Sequence, residues 1–465
     1  MNSELKTELT KLHRDTSEEV VSVGWGRKIT GGSKTEEQCV MFGVRVKKPL
    51  DEIPEEERIP STITIEGTDY KTDVIEVGPV EAAACDQTTL DNCYGWQTTS
   101  PTNQNYTRPI KGGLRIASKT IDSVSSQGGS GTLGLVAVDT ATNSLVGITN
   151  AHVGTYGFTG PGEFYQNLSN PNVSQWRVKK RISWINQGTN YAGATGILPA
   201  SENPYDDLKV HFDGGGTINP AYYLHHIGRV IRHIPIYGYN APDAPAAGYV
   251  GGVFYNDVDV AVVGLYSSVV DVNESWKQHD LGVVTSPPEW ASTSEIDNLV
   301  STDPYLYSSG ATTGAKGDDP CRLKVLSVGT NVSVAYLDTT MVPSYARFKN
   351  VIAFTRENAD CTYPIWRGDS GSSLLANIGG TVKVIGLVFA TGLTIGYAVR
   401  IDEVASIAEV SRWDGGATNF LDLANPQVIT LSGNQNGGGA TPWKYGDYWY
   451  AGFYSSSAAT PLHLL

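Results

Sequence analysis

A serine between two glycines is the candidate nucleophile in this sequence. Ser370 lies in the segment Gly368-Asp369-Ser370-Gly371, and a short apolar strand is predicted directly after it at 373–375. A glycine before the serine allows a tight turn in which backbone N–H groups point at one spot. Two such donors stabilise a negative oxygen as it forms in a transition state. Gly, Asp and Ser also make ordinary polar turns, so this segment alone leaves both interpretations open.

A histidine at the end of an apolar strand is the candidate general base. His152 follows the predicted strand 146–150 and the small residue Ala151. A general base must be held rigidly and must titrate near neutral pH, which suits an imidazole in this position. A lone histidine in such a position more often has a structural role, so the assignment of His152 as a general base depends on finding its partners. Other histidines are assigned structural or surface roles, namely His211, His225, His226 and His233.

A carboxylate at the start of another apolar run completes the set. Asp259 opens the run 259–263 and is expected to be partly buried. A buried carboxylate is costly unless it is paired, and pairing with the N–H of a catalytic imidazole also fixes the tautomer that accepts a proton. The alternatives are that Asp259 is an edge-strand turn residue, or that Asp257, on the same strand face, takes its place.

The rest of the chain is predicted to be mostly β around these three residues. Residues 1–80 have the pattern of a small α/β unit, with a short helix and a hairpin. A linker rich in Thr, Asn, Gln and Pro is predicted at 81–109. Short apolar strands then alternate with turn residues over 110–410, and no convincing amphipathic helix interrupts them. Residues 411–465 form a C-terminal extension.

The C-terminal extension holds an aromatic cluster between residues 443 and 454. Aromatic side chains in such numbers rarely stay in water, so packing onto the body of the protein is the favoured interpretation. A docking or autoinhibitory element is the alternative. The sequence itself does not distinguish the two.

Three motifs resemble those of the trypsin-like serine peptidases, and they occur in the same order along the chain. Asn150-Ala151-His152-Val153 resembles the histidine motif of the family, Asp259-Val260-Ala261-Val262 its aspartate motif, and Gly368-Asp369-Ser370-Gly371 its serine motif. The sequence is most similar to intracellular bacterial members in which an N-terminal accessory domain precedes the peptidase. Arg108 to Gly113 and Ser309 to Gly314 also resemble segments of those members.

This resemblance implies a fold and a reaction. The fold would be a double six-stranded antiparallel β-barrel, with the first barrel at about 110–264 and the second at about 305–410. His152 would act as general base, Asp259 would orient it, and Ser370 would attack a peptide bond to form an acyl-enzyme. The N–H groups of Gly368 and Ser370 would form the oxyanion hole. Protein or peptide substrates are therefore expected.

The resemblance also points to a substrate pocket, but not to that of trypsin. The residue six positions before Ser370 is a proline, so the carboxylate that selects Lys or Arg is missing. An open apolar pocket is expected, although an arginine at its mouth would favour acidic residues. The predicted lining residues are Pro364, Arg367, Phe389, Ala390, Thr391 and Gly396.

The acid before the serine departs from the family pattern. In zymogen-activated members a freed terminus pairs with this acid, whereas here the similar segment Ile110-Lys111-Gly112-Gly113 follows about a hundred residues of chain. Asp369 is therefore expected to find another partner, such as an internal Arg or Lys.

Composition excludes several classes of function. The chain of 465 residues carries a net charge of −14, which argues against binding to nucleic acid or to an anionic membrane surface. No apolar run approaches the roughly 20 residues that cross a bilayer, and the first 20 residues do not resemble a signal peptide. Five cysteines are too few and too scattered for a disulfide framework, and none has the spacing of a zinc site. A reduced, cytoplasmic protein without metal or cofactor is expected.

Two functions remain open at this point. The first is a serine endopeptidase. The second is a binding or scaffold protein that keeps the peptidase fold while its site is catalytically silent or autoinhibited. A homo-oligomer or a regulatory partner is possible with either. A complete set of three residues favours the enzyme, since a degenerate binding protein has no reason to keep all of them.

Overall fold

The structure is a computed structural model. The residues that it describes are 1–83, 85–86, 103, 107–120, 129–154, 183–187, 226–234, 236–239, 246–318, 321–337, 343–357, 364–416, 419–420, 441–445 and 448–452. Much of the predicted linker and most of the C-terminal extension lie outside these ranges.

The N-terminal unit is one helix on a small group of strands. Helix α1 spans Ser3–Asp15 and begins where the side chain of Asn2 accepts a hydrogen bond from the N–H of Leu5. Leucines recur along one face of this helix, which is why it buries that face against the strands. The strands of this unit are β1 (Val20–Thr30), β2 (Ser33–Val44), β3 (Thr62–Ile65) and β4 (Thr68–Glu76).

Strands with few helices make up the rest of the described chain, as the sequence predicts, although two of the strands, Leu323–Leu337 and Pro343–Arg356, are longer than the short ones expected. The next group is β5 (Glu81–Ala82), β6 (Cys85–Asp86), β7 (Arg115–Thr120), β8 (Gly129–Thr132), β9 (Leu135–Asp139), β10 (Ser144–Thr149), helix α2 (Ala151–Gly154), β11 (Ser183–Gln187), β12 (His226–His233), β13 (Tyr249–Val250), β14 (Val253–Phe254) and β15 (Ala261–Leu265). After these come β16 (Glu289–Trp290), helices α3 (Thr293–Asp297) and α4 (Leu299–Thr302), β17 (Tyr305–Gly310), β18 (Gly314–Lys316), β19 (Leu323–Leu337), β20 (Pro343–Arg356), β21 (Ser373–Ile378), β22 (Thr381–Thr391), β23 (Ile395–Arg400), helix α5 (Ile401–Ile407), β24 (Val410–Arg412), β25 (Thr441–Tyr445) and β26 (Tyr448–Gly452).

Two large sheets organise the strands. The first has the order β24-β9-β10-β15-β12-β11-β7-β8-β6. The second contains the run β17-β21-β22-β23-β20-β19, in which β17 also pairs with β19. Each sheet contributes strands rich in apolar, β-branched residues that are buried along most of their length, such as β15 in the first sheet and β22 in the second. The fold is therefore mostly β, as predicted.

The N-terminal unit has its own core but shares a sheet with the strands that follow. Its buried cluster includes Leu9, Val40 and Phe42. Strand β1 pairs antiparallel with β19, in register from Ser22 opposite Val332, so the second sheet continues into the N-terminal strands. The unit is thus attached by backbone hydrogen bonds as well as by the chain. The domain boundaries given above remain a prediction.

Two cysteines bear on the expected reduced state. Cys321 is disulfide-bonded, which corrects the expectation of a fully reduced chain. Cys39 is a free, buried cysteine, and burial, with a smaller contribution from nearby Asp73, raises the pKa of its thiol to about 12. That thiol is therefore unreactive near neutral pH.

The C-terminal aromatic segment forms a hairpin, because β25 pairs with β26 and Trp443 lies opposite Tyr450. Its packing onto the body lies outside the described residues and remains a prediction. Within the described ranges, no helix is long and apolar enough to span a membrane. In the same ranges no cluster of three or more metal-ligating side chains occurs.

Candidate active site

His152 and Asp259 are brought into contact by the first sheet. His152 lies in α2, the single helical turn that follows β10, and Asp259 lies two residues before β15. Because β10 and β15 pair directly, the residues next to their ends meet. Nδ1 of His152 hydrogen-bonds to Oδ2 of Asp259, and both side chains are buried. The sequence predicts a strand-end histidine, and the structure differs only in adding one helical turn.

Further hydrogen bonds hold the carboxylate of Asp259. The backbone N–H of His152 donates to Oδ1 of Asp259 at 3.3 Å, and the side-chain amide of Asn150 donates to the backbone carbonyl of the same residue at 2.7 Å. The hydroxyl of Tyr336, on β19 of the second sheet, donates to Oδ2 at 3.0 Å. Burial, together with the charge of Asp259, raises the pKa of Tyr336 well above its usual value, so this hydroxyl keeps its proton. The hydrogen bonds from His152 and Tyr336 satisfy the carboxylate of Asp259, which would otherwise be costly to bury.

Asp257 does not share this site. Its carboxylate forms an ion pair with the ammonium of Lys349 at 3.2 Å, and its side chain is 40% exposed. The predicted strand places Asp257 and Asp259 on one face, but β15 begins only at Ala261, so the alternation does not apply to them. The structure therefore separates the two acids and leaves Asp259 with His152.

Ser370 lies in a sharp turn where the two sheets meet. Gly368 and Gly371 have φ values of +98° and +94°, which an L side chain rarely adopts. Thr132, on β8 of the first sheet, binds this turn twice. Its N–H donates to the carbonyl of Ser370 at 2.7 Å, and its hydroxyl donates to that of Gly368 at 2.9 Å. A side chain at Gly371 would collide with the Thr132 carbonyl, so the close approach requires glycine.

The hydroxyl of Ser370 is not hydrogen-bonded to the imidazole in this conformation. It donates to the carbonyl of Phe389 at 3.2 Å. Among the described residues, Nε2 of His152 is a buried nitrogen with no hydrogen-bond partner.

The N–H groups of Gly368 and Ser370 converge on one oxygen. Both point to the backbone carbonyl of Ala83, at N···O distances of 2.6 Å and 3.3 Å respectively. Two backbone donors that meet at a single carbonyl oxygen have the arrangement of an oxyanion hole. The site therefore already holds a carbonyl group, supplied by the chain itself.

Neutral donors form hydrogen bonds to Asp369, and Lys316, an internal lysine of the kind predicted, also interacts electrostatically with its carboxylate. Its fully buried carboxylate accepts hydrogen bonds from the N–H groups of Thr312, Thr313 and Trp366 at 2.8–3.0 Å, and from the hydroxyl of Thr313 at 2.8 Å. Burial raises its pKa, and these hydrogen bonds act in the opposite direction. A Cβ at Gly310 would collide with this carboxylate, so the segment 309–314 is shaped around it.

The predicted pocket residues fall into two groups. Phe389 accepts the Ser370 hydroxyl at its carbonyl, while its ring packs on Phe348 with a centroid distance of 4.7 Å. Ala390 and Thr391 lie opposite Ala82 and Glu81, and Arg367 forms an ion pair with Glu81. These four predicted residues thus contact or pair with the segment 81–83.

The other two predicted pocket residues are not joined to that segment by any described contact. Pro364 is buried, and Gly396 lies so close to the ring of Phe354 that a Cβ there would collide with it. The ring of Phe354 therefore occupies the space next to Gly396, where an open apolar pocket is expected from the sequence.

Two features of the site are not foreseen from the sequence. Tyr336 lies within the strand β19 and carries no local signal of its role. Ala83 lies in the predicted linker, where a run of three alanines gives no indication of chemistry. The segment 309–314, by contrast, is recognised as a motif in the sequence, but its hydrogen bonds to Asp369 are not predicted.

Comparison with known proteins gives distant structural similarities. No protein family and no curated protein matches the sequence. Among solved structures, protease A of Thermobifida fusca is similar at 12% sequence identity and a TM-score of 0.31, over 66% of this chain and 98% of that one. A chymotrypsin of Cellulomonas bogoriensis is similar at 15% identity and a TM-score of 0.23, over 35% of this chain and 73% of that one.

Proposed function

We propose that this protein is a serine endopeptidase. Ser370 attacks the carbonyl carbon of a peptide bond, and His152 accepts the proton of its hydroxyl at Nε2. Asp259 accepts a hydrogen bond from Nδ1 of His152 and stabilises the imidazolium as it forms. The second step hydrolyses the acyl-enzyme, with water attacking in place of the serine hydroxyl.

The observation that carries this proposal is the convergence of two backbone N–H groups on one carbonyl oxygen. Gly368 and Ser370 bind the oxygen of Ala83 beside the candidate nucleophile. A polar turn of ordinary function has no need of such a site, whereas acyl transfer requires donors at the position where negative charge develops. Removal of one such donor typically costs about 10²–10³-fold in rate.

Asp369 supports the same proposal by shaping the turn. Its carboxylate ties the loop 312–313 and the N–H of Trp366 to the segment that carries Ser370. Donors of an oxyanion hole must be fixed before the reaction, because reorganising them during it would cost free energy. The closed arrangement around Asp369 meets this requirement without a freed N-terminus.

The double β-barrel belongs to the proposal as its finer fold. The pairing of β17 with both β21 and β19 supports six strands that return on themselves in the second half. In the first half, the order β9-β10-β15-β12-β11-β7 is that of consecutive antiparallel neighbours. If each half forms a barrel, the candidate site lies at the junction of the two barrels.

Labelling with a fluorophosphonate probe tests the function. Because Ala83 occupies the site, the probe is applied to the wild type and to Ala83→Asp, whose charged side chain cannot remain where the buried methyl group lies. We expect Ala83→Asp to be labelled, and the additional change Ser370→Ala to abolish the labelling. Ser372→Ala is the matched control, since Ser372 is a buried serine of the same turn. Labelling that persists without Ser370 would contradict the assignment.

A catalytically silent or autoinhibited binding protein is the second candidate. Two observations favour it: the Ser370 hydroxyl donates to the Phe389 carbonyl, and the candidate oxyanion hole is filled by Ala83. If Ala83→Asp folds normally by circular dichroism and is still not labelled, the silent form is correct and the enzyme is not.

A further inference from the structure

The segment that ends at Ala83 lies in the site as an added strand. Glu81 and Ala82 pair antiparallel with β22, opposite Thr391 and Ala390 respectively. The N–H of Ala83 donates to the carbonyl of Phe389 at 3.0 Å. Backbone hydrogen bonds therefore hold the segment in an extended conformation up to the residue whose carbonyl binds Gly368 and Ser370. A peptide captured by strand addition adopts this geometry.

Side chains hold the segment in the same register. Ala83 is fully buried, and its methyl group suits the limited space of the site. Two residues earlier, Glu81 forms an ion pair with Arg367, a predicted pocket residue that directly precedes Gly368. Both partners are more than a third exposed, so this pair adds little to stability. Its main effect is to fix the register of the segment and to favour an acidic side chain at this position.

The chain continues from Ala83 to the other sheet. Cys85 and Asp86, which form β6, pair with Ser130 and Gly129 of β8 at the edge of the first sheet. Ala83 is thus hydrogen-bonded to the second sheet, whereas Cys85 pairs with the first.

We propose, resting on the function proposed above, that the protein cleaves its own chain between Ala83 and Ala84. The bond follows the carbonyl that the two backbone donors bind, and the segment before it is held in a single register. The same contacts define the preferred substrate class of the site: an extended peptide with a small residue before the bond and an acidic residue two positions earlier.

The reaction balances without a cofactor. The oxygen of Ser370 bonds to the Ala83 carbonyl carbon while its proton passes to Nε2 of His152. The bond to the nitrogen of Ala84 then breaks, and that nitrogen takes the proton from His152. Water attacks the resulting ester, gives a proton to His152, and releases the Ala83 carboxylate as the proton returns to Ser370. The products are residues 1–83 and a chain that begins with the free amino group of Ala84.

Intact-mass spectrometry and N-terminal sequencing of the purified full-length protein test this inference. We expect the wild type to give two products that meet at Ala83 and Ala84, with near-complete conversion on incubation. Ser370→Ala stays intact, and Ser372→Ala is cleaved like the wild type. When the wild type is mixed with Ser370→Ala, the variant remains uncut, because the bond is presented only within its own molecule.

Several results would overturn the inference. A wild type that stays intact, or one cut at another bond, excludes cleavage at this position. If Ala83→Asp is still labelled through Ser370 in that case, the peptidase function stands and only self-cleavage is wrong. If Ala83→Asp is not labelled either, both proposals are wrong. Cleavage of Ser370→Ala by added wild type would exclude the intramolecular reaction.

Discussion

The carboxylate of Asp259 gains its role from what surrounds it. Three groups donate to it, namely the imidazole and backbone N–H of His152 and the hydroxyl of Tyr336. From the sequence, the only reason to pair Asp259 with a histidine is the free energy that burial of an unpaired carboxylate would cost. Asp259 begins an apolar run, so burial is expected and a partner is needed. Tyr336 could not be predicted, since it comes from a strand of the other sheet and has no local pattern.

Asp259→Asn should abolish most activity while the fold persists. The amide cannot accept from Nδ1–H in the same way, so His152 loses the tautomer that takes a proton from Ser370. In the general Ser-His-Asp template this change costs about 10⁴-fold in kcat, and we expect a loss of that order here. The measurement is the rate of peptide hydrolysis or of probe labelling in the Ala83→Asp background.

Asp257→Asn is the matched control for this prediction. Asp257 pairs with Lys349 near the surface, and surface pairs of this kind contribute on the order of 1 kcal/mol or less. Its rate should stay within a few-fold of the parent. Equal losses for the two substitutions would mean that the carboxylate next to His152 is not the one that matters.

At the scale of elements, helix α1 is fixed to the sheet through a buried histidine. Nε2 of His13 lies 3.2 Å from the carbonyl of Val21, and Nδ1 lies 3.0 Å from the hydroxyl of Tyr255. A carbonyl can only accept, so Nε2 carries the proton. Burial, with the nearby charge of Arg347, lowers the pKa of His13 to about 3. The sequence predicts this helix from its leucines, but not the role of its histidine.

The protein should therefore lose stability as the pH falls below neutral, and His13 should account for part of the loss. A histidine with a folded pKa of about 3 and an unfolded pKa near 6.5 binds more protons when unfolded. Its contribution is fully present above the unfolded pKa and is lost progressively as the pH drops below it. Between pH 7 and pH 5 we expect the free energy of unfolding to fall by about 2 kcal/mol from this group.

Urea denaturation at the two pH values measures this effect. His13→Gln keeps a polar side chain that does not titrate, so the difference between its stabilities at pH 7 and pH 5 should be smaller than that of the wild type by the same amount. An unchanged difference would show that His13 is protonated in the folded state. His279, which is less buried and lies beside Asp280, provides a comparison histidine.

At the scale of the whole molecule, the N-terminal unit is joined to the second sheet by more than the chain. Strand β1 pairs with β19, and α1 reaches the same region through a hydrogen bond from Thr10 to Asn331 of 3.0 Å. The ammonium of Lys6 also lies 3.0 Å from the carboxylate of Asp297. These contacts do not depend on the linker.

A cut in the linker should consequently leave the two pieces together. A recognition sequence for a specific protease, inserted within residues 87–102 of the Ser370→Ala variant, allows the cut to be made after folding. We expect both pieces to elute together in gel filtration and to separate only in denaturant. Separation in native buffer would show that the pairing of β1 with β19 does not hold the unit by itself.

Local patterns in the sequence are enough to identify the candidate groups and their order. Each of the three residues lies in a motif of a few residues, namely those around His152, Asp259 and Ser370. Such a short motif can be recognised without knowledge of the rest of the fold. The mostly β texture also follows from local alternation of apolar and turn residues. The same local information identified the glycines that the serine turn requires.

The contacts that these groups make depend on the folded chain. The Thr312 and Thr313 donors to Asp369, the hydroxyl of Tyr336 and the carbonyl of Ala83 come from segments remote in sequence that the paired strands bring together. An alanine or a tyrosine has no distinctive local pattern, so its role depends entirely on register between strands. For that reason the segment 81–83 reads as a linker in the sequence, whereas the folded chain sets it in the site.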